Sequence, residues 1–241
     1  MFFKKELKES RNTIITLQNS KSQQFDYGEI YRQIRTNIEF SNISNKVKAV
    51  NITSSRPGEG KTTTSVNLAV VYATIYDKVL LIDCDFRKPQ IHKYFKISNS
   101  EGLSNLLLDY TKTGVFSHDY FKHIKHSSFK ERLTVLPTGE KVPNPSELLS
   151  SQVFKDFLEK QKEEFDFIII DCPPIGAVSD AIPIGNVTDG TVFICSSLLT
   201  PRKEAKNAIQ VLKKNHCNLL GCVLTQMDTD RNGHYGYYYY Y

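Results

Sequence analysis

Short runs dominated by apolar residues punctuate the chain at 47–53, 78–83, 133–136, 165–171, 191–196 and 219–225. Each has the length of a strand, and most lack the strict alternation of a sheet with one wet face. Such runs predict parallel strands buried on both sides. Between them the apolar spacing changes to that of helices. Residues 61–76 place Val66, Ala69, Val70 and Ala73 on one face; further helices are predicted at 102–110, from Ser146 as N-cap to Glu164, and at 202–215. Strands alternating with helices predict an α/β fold, a parallel sheet covered by helices on both faces. Upstream, Tyr27, Ile30, Tyr31, Ile34 and Ile38 recur at helical spacing, which predicts an exposed amphipathic helix over 25–40. Residues 1–24 are polar and aperiodic and read as an arm. After residue 227 the pattern stops, and residues 228–241 read as a flexible tail ending in five consecutive tyrosines.

Composition narrows the classes. The chain has 241 residues, enough for one large domain with arms, and a formal net charge of +5. That charge is too small to argue for nucleic-acid binding, although it suits a protein that handles phosphate. The cysteines Cys84, Cys172, Cys195, Cys217 and Cys222 form no CxxC pair and no metal spacing, as expected of reduced thiols in the cytoplasm. The start Met1-Phe2-Phe3-Lys4-Lys5 meets charge before an apolar core develops, unlike a signal peptide. No apolar run approaches the roughly 20 residues of a membrane helix, so any membrane contact is expected to pass through a partner.

The most specific chemistry lies between the first strand and the following helix. Ser55-Arg56-Pro57-Gly58-Glu59-Gly60-Lys61-Thr62 matches the phosphate-loop pattern except that serine replaces the first glycine. Gly58 and Gly60 let backbone N–H groups approach phosphate oxygens, and the next helix adds its positive end. The stretch from Pro57 to Thr63 is therefore the expected cradle for ATP, with Lys61 on the β- and γ-phosphates and Thr62 on Mg²⁺. Two strands end in acids, as Asp83-Cys84-Asp85 and Asp171-Cys172-Pro173-Pro174. In an open parallel sheet those ends face the same crevice as the loop. Asp171 suits a magnesium-binding role, and Asp83 and Asp85 form a second acidic arm. Arg87 and Lys88 follow closely enough to pair with these acids or with phosphate.

These motifs resemble those of the bacterial tyrosine kinases. Asp83-Cys84-Asp85-Phe86-Arg87 after an apolar strand is similar to their Walker A′ motif. Pro57 to Thr62 resembles their Walker A, and Phe167 to Asp171 followed by Pro173-Pro174 resembles their Walker B. Pro143-Asn144-Pro145-Ser146-Glu147-Leu148-Leu149 resembles a further family segment, and the likeness runs from about residue 25 to the end. The related MinD/ParA-type ATPases usually have a lysine where this chain has Arg56, and lack a tyrosine tail. The end of the last strand, Leu224-Thr225-Gln226, departs from the Asn-Lys of relatives and leaves adenine recognition unassigned.

The resemblance implies a protein-tyrosine kinase that phosphorylates Tyr235, Tyr237, Tyr238, Tyr239, Tyr240 and Tyr241 of a neighbouring copy. From Gln226 the chain spans roughly 50 Å when extended, enough to reach an adjacent site. A phenol with a pKa near 10 needs a proton acceptor late in transfer. Asp83, also a candidate metal ligand, is the first candidate and Asp85 the alternative. Glu29, Arg32 and Arg35 share one helical face and resemble the family's ring-forming motif; by spacing alone they make a surface ion pair worth a few tenths of a kcal/mol. The resemblance also implies a membrane-anchored activator of the polysaccharide co-polymerase type, a place at the inner face of the membrane and a role in capsule or exopolysaccharide synthesis. Two other readings stand beside it: a nucleotide-switched ATPase dimer, and a regulatory subunit that binds ATP without turning it over.

Overall fold

A computed structural model describes residues 13–17, 27–41 and 46–227. The expected acceptor tyrosines Tyr235 and Tyr237 to Tyr241, and most of the N-terminal arm, lie outside them.

The core strands are β1 (Ala49–Ser54), β2 (Val79–Asp83), β4 (Lys130–Leu136), β5 (Phe167–Asp171), β6 (Gly190–Ser196) and β7 (Leu219–Thr225). They pair in parallel in the order β4-β2-β5-β1-β6-β7, and β3 (Lys122–His126) adds an antiparallel edge to β4. Alternate side chains feed two separate cores. Leu80, Ile82, Ile168 and Ile170 point to one face, where they meet α4 (Leu103–Thr113), α5 (Pro145–Ser150), α6 (Gln152–Glu164), α7 (Ala181–Gly185) and α8 (Arg202–Lys214). Val79, Leu81, Phe167 and Ile169 point to the other, under α1 (Tyr27–Phe40), α2 (Lys61–Ala73) and α3 (Ile91–Phe95). Strands β1, β2, β5 and β6 are therefore buried on both sides, as their uninterrupted apolar runs require, whereas β7, expected to be buried likewise, is an edge strand half-buried or exposed along its whole length.

Helix α2 is buried along nearly its whole length, because α1 and the residues 13–17 cover the side turned away from the sheet. Thr16 pins that short segment through its backbone N–H, 2.9 Å from Asn67 Oδ1. Part of the expected N-terminal arm is thus docked against the helix that follows the phosphate loop. On the sheet side, Tyr72 of α2 stacks on Phe167 of β5, with ring centroids 3.7 Å apart.

Several boundaries differ from expectation, among them the end of α4 at Thr113 and the start of β4 at Lys130. The helix expected from Ser146 is two helices broken at Ser151, which is extended (φ −66°, ψ 155°) and accepts the Phe154 N–H as the N-cap of α6. Ser146 lies inside α5 instead of capping it. Helix α2 ends at Ala73, three residues early. Strand β3 and the short helices α3 and α7 were not expected. Among the described residues no helix is long and apolar enough to cross a membrane.

Candidate active site

Strand β1 lies between β5 and β6, so the loop that leaves its carboxyl end opens beside Asp171. Asp83 and Asp171 are register partners on adjacent strands, which sets the two acidic arms side by side. The loop is held in a left-handed backbone conformation at Gly58 (φ 85°) and Gly60 (φ 93°). A β-carbon at either position would strain that path. Thr64 N–H bonds to Gly60 O at 2.9 Å and starts α2 at once, aligning the helix N-terminus with the loop.

Six buried groups meet at this point. Lys61 Nζ sits 2.8 Å from Asp85 Oδ2. Thr62 Oγ1 donates to Asp171 Oδ2 at 2.6 Å, and Ser65 Oγ to Asp171 Oδ1 at 3.0 Å. Asp83 accepts backbone N–H groups on both oxygens, from Asp85 on one and from Gln90 and Ile91 on the other. Burial pushes the Asp83 carboxyl up to about 8, with the Asp171 charge adding to it. Burial also raises Asp171, against the opposing pull of Lys61 and of the Thr62 hydrogen bond. Burial works against the Lys61 charge as well, but Asp171, Asp85 and Asp83 outweigh it and hold the ammonium above the ordinary lysine range.

Glu59 is fully buried but turns away from this cluster. Its carboxylate accepts the Arg56 N–H at 2.9 Å and the Thr200 hydroxyl, bracing the loop from behind. Arg56 itself forms an exposed ion pair with Glu204 of α8. Thr225 Oγ1 donates to Glu59 O at 2.6 Å, and Gln226 Nε2 to Gly58 O at 3.0 Å. The departure at the end of the last strand thus serves to clamp the loop. On the other side of α2, Thr63 Oγ1 lies 2.7 Å from the Tyr94 hydroxyl. Sequence reading missed Ser65, Tyr94 and Thr200, and noted Thr225 and Gln226 without giving them a role, because no spacing rule links any of them to the motif.

Arg87 does not pair with Asp83 or Asp85. Its guanidinium bonds to Asp180, which sequence reading did not single out, and Lys88 reaches Asp85 only through its backbone N–H. Of the expected interface residues, Glu29 and Arg32 form an exposed pair at 2.8 Å, while Arg35 is half-buried and its Nε makes no hydrogen bond.

The donor set fits a nucleotide with a divalent cation. Three buried acids crowd around one ammonium, and the burial that raises Asp83 and Asp171 is a cost that a bound cation would offset. Among the described residues no three His, Cys, Asp or Glu side chains form a ready metal cage. Magnesium requires none, since it takes one or two protein ligands and completes its shell with water and phosphate oxygens.

A family model described as an AAA domain matches residues 47–213. The tyrosine-protein kinase YwqD of Bacillus subtilis is 42% identical over 210 residues, spanning 87% of this chain and 85% of that protein. The putative tyrosine-protein kinase CapB of Staphylococcus aureus is 39% identical, spanning 88% of this chain and 89% of its own. The crystal structure of the chimerical protein CapA2B2 superposes with a TM-score of 0.78 at 34% identity, covering 89% of each chain. The likeness therefore extends across the phosphate loop and both acidic strand ends, and the chain belongs to the bacterial tyrosine-protein kinases.

Proposed function

We propose that this kinase transfers the γ-phosphoryl group of ATP to Tyr235 and Tyr237 to Tyr241 of a neighbouring copy, and that it thereby regulates capsule or exopolysaccharide synthesis. The observation that carries the chemistry is the buried meeting of Lys61, Asp85, Thr62 and Asp171 at the mouth of the phosphate loop.

In this reading the backbone from Pro57 to Thr63 cradles the phosphates, and Lys61 leaves Asp85 to engage the β- and γ-oxygens. Thr62 and Asp171 would hold Mg²⁺, which would supply charge neutralisation to the transferring group. Asp83 stays committed to the N–H groups of Asp85, Gln90 and Ile91 and keeps the A′ turn in shape. Asp85, released by Lys61, accepts the phenolic hydrogen bond and takes the proton late. The base role moves here from Asp83 to Asp85, because Asp83 has no oxygen free of a backbone donor.

Transfer between copies is tested by mixing. A catalytically dead Lys61→Met chain with an intact tail is incubated with an active chain lacking 235–241, γ-labelled ATP and Mg²⁺. Label is expected on the dead chain. Label remaining on an active chain after deletion of 235–241 would show that the tail is not the main acceptor.

Assembly is assigned to α1, through Glu29, Arg32 and Arg35. Each phosphotyrosine adds about −1.5 to −2 charge, so six would add roughly −9 to −12 and loosen an assembly of +5 protomers. Replacing all three interface residues by alanine is expected to lower the particle mass in light scattering while leaving the fold intact by circular dichroism. An unchanged mass would remove α1 from the interface. A membrane-anchored activator of the polysaccharide co-polymerase type is the proposed second partner, which would place the kinase at the cytoplasmic face of the membrane.

A further inference from the structure

We propose that Asp180 is a positioning residue for phosphoryl transfer: by gripping Arg87 it sets the turn that carries Asp85 against the phosphate loop. This rests on the role given to Asp85 above.

Asp180 occupies the N-cap position of α7, where an aspartate normally caps the helix with its side chain. It makes no side-chain cap here. Its carboxylate, 1% exposed, is turned to Arg87 and Ser146 instead. Arg87 Nε lies 2.9 Å from Oδ2 and Nη2 3.3 Å from Oδ1, a two-point grip that fixes the plane of the guanidinium. Ser146 Oγ donates to the same Oδ1. Three separate segments thus converge on one buried carboxylate: the A′ turn two residues past Asp85, the loop after β5, and the first turn of α5.

The other end of the loop after β5 is tied to the nucleotide side. Ile175 N–H bonds to Ser54 O at 2.8 Å, and Thr53 Oγ1 donates to Pro173 O at 2.8 Å. Gly176 packs so closely that a β-carbon there would lie 2.3 Å from Ser55 O. The segment from Cys172 to Asp180 is therefore a strut with one foot on the phosphate loop and the other on Arg87. Its length sets the gap between the donor arm and the acceptor arm. The Pro143 to Leu149 segment, otherwise without a task, supplies the Ser146 hydroxyl that steadies the second foot.

A residue that sets this gap should act on turnover more than on ATP affinity, since the phosphate contacts do not include it. Steady-state phosphorylation by the full chain is measured for Asp180→Asn, Arg87→Lys and Ser146→Ala, with Asp85→Asn as reference. For Asp180→Asn the expected fall in kcat is about tenfold to hundredfold, with the KM for ATP within about threefold of wild type. Arg87→Lys should move in the same direction, because one ammonium does not reproduce a two-point grip. Ser146→Ala should do so by about two- to threefold, because its hydroxyl steadies a carboxylate that Arg87 still grips.

Wild-type kcat in a folded Asp180→Asn protein overturns the proposal, as does a rise in the KM for ATP with kcat unchanged. If Asp180→Asn does not fold, Arg87→Lys decides by the same two criteria, since Arg87 is half-exposed and its replacement leaves the core intact. Full activity in Asp85→Asn would instead overturn the role given to Asp85, separating that failure from this one.

Discussion

Replacing Lys61 with methionine is expected to lower phosphorylation by at least about a hundredfold to a thousandfold, the scale for losing one preorganised donor to developing charge. The effect should appear in kcat even at saturating ATP, because the lost contact is to the transferring group. The same change removes the one ammonium buried among Asp83, Asp85 and Asp171. Breaking such a pair costs about 3–5 kcal/mol if the partner charge stays buried, and less if the carboxylate takes up a proton. Asp171 is already raised by burial and is held down chiefly by Lys61. Without that lysine its folded-state pKa rises further.

The sign follows from linkage. A carboxyl with a raised folded-state pKa contributes stability fully below its unfolded pKa, and that stability is lost as pH rises through the folded value. The melting temperature of Lys61→Met relative to wild type should therefore fall more at about pH 8 than at about pH 6. Equal deficits at both values would mean that the carboxylates do not depend on Lys61. Retained kcat would remove Lys61 from transfer.

The second large effect is expected from Gly176→Ala. The new methyl group would sit 2.3 Å from Ser55 O and 3.3 Å from the Ser55 carbonyl carbon, both backbone atoms of the phosphate loop. No side-chain rotation relieves that contact, so either the loop or the strut must move. Overpacking of this kind costs about 1–3 kcal/mol. Displacement of the cradle should raise the KM for ATP and lower kcat together, each by roughly tenfold or more, since shifts of about 1 Å can cost a hundredfold. Kinetics of the purified variant alongside its melting temperature test this. Unchanged values of both constants would mean that the loop tolerates the shift.

Much of this architecture was legible because burial on two faces leaves a plain signature. Runs such as Phe167 to Asp171 admit little besides a central parallel strand, and the aspartate closing the run marks the crevice end. Strand β3 escaped because Lys122-His123-Ile124-Lys125-His126 is an edge strand with alternating exposure and little apolar content. Helices α3 and α7 are five residues each, under two turns and too short to show a repeating apolar spacing. The break at Ser151 was hidden because apolar spacing continues across it, while a single hydroxyl diverts the backbone. At the site, the motif residues were legible and their supports were not. Asp180 lies 93 residues from Arg87, in a loop, and its burial is visible only once the chain is folded.

The clamp on the phosphate loop also bears on how the protein is made. Thr225 and Gln226 hold Glu59 and Gly58 across 166 and 168 residues of sequence. Translation at about 5–20 residues per second leaves roughly 10–30 s between synthesis of the loop and synthesis of its clamps. Throughout that interval the nascent chain carries the complete nucleotide motif with its rear support missing. Strand β7, the last to be added, must pair before the motif acquires its finished shape. A ribosome stalled short of residue 225 would hold a chain whose phosphate loop lacks both of these bonds.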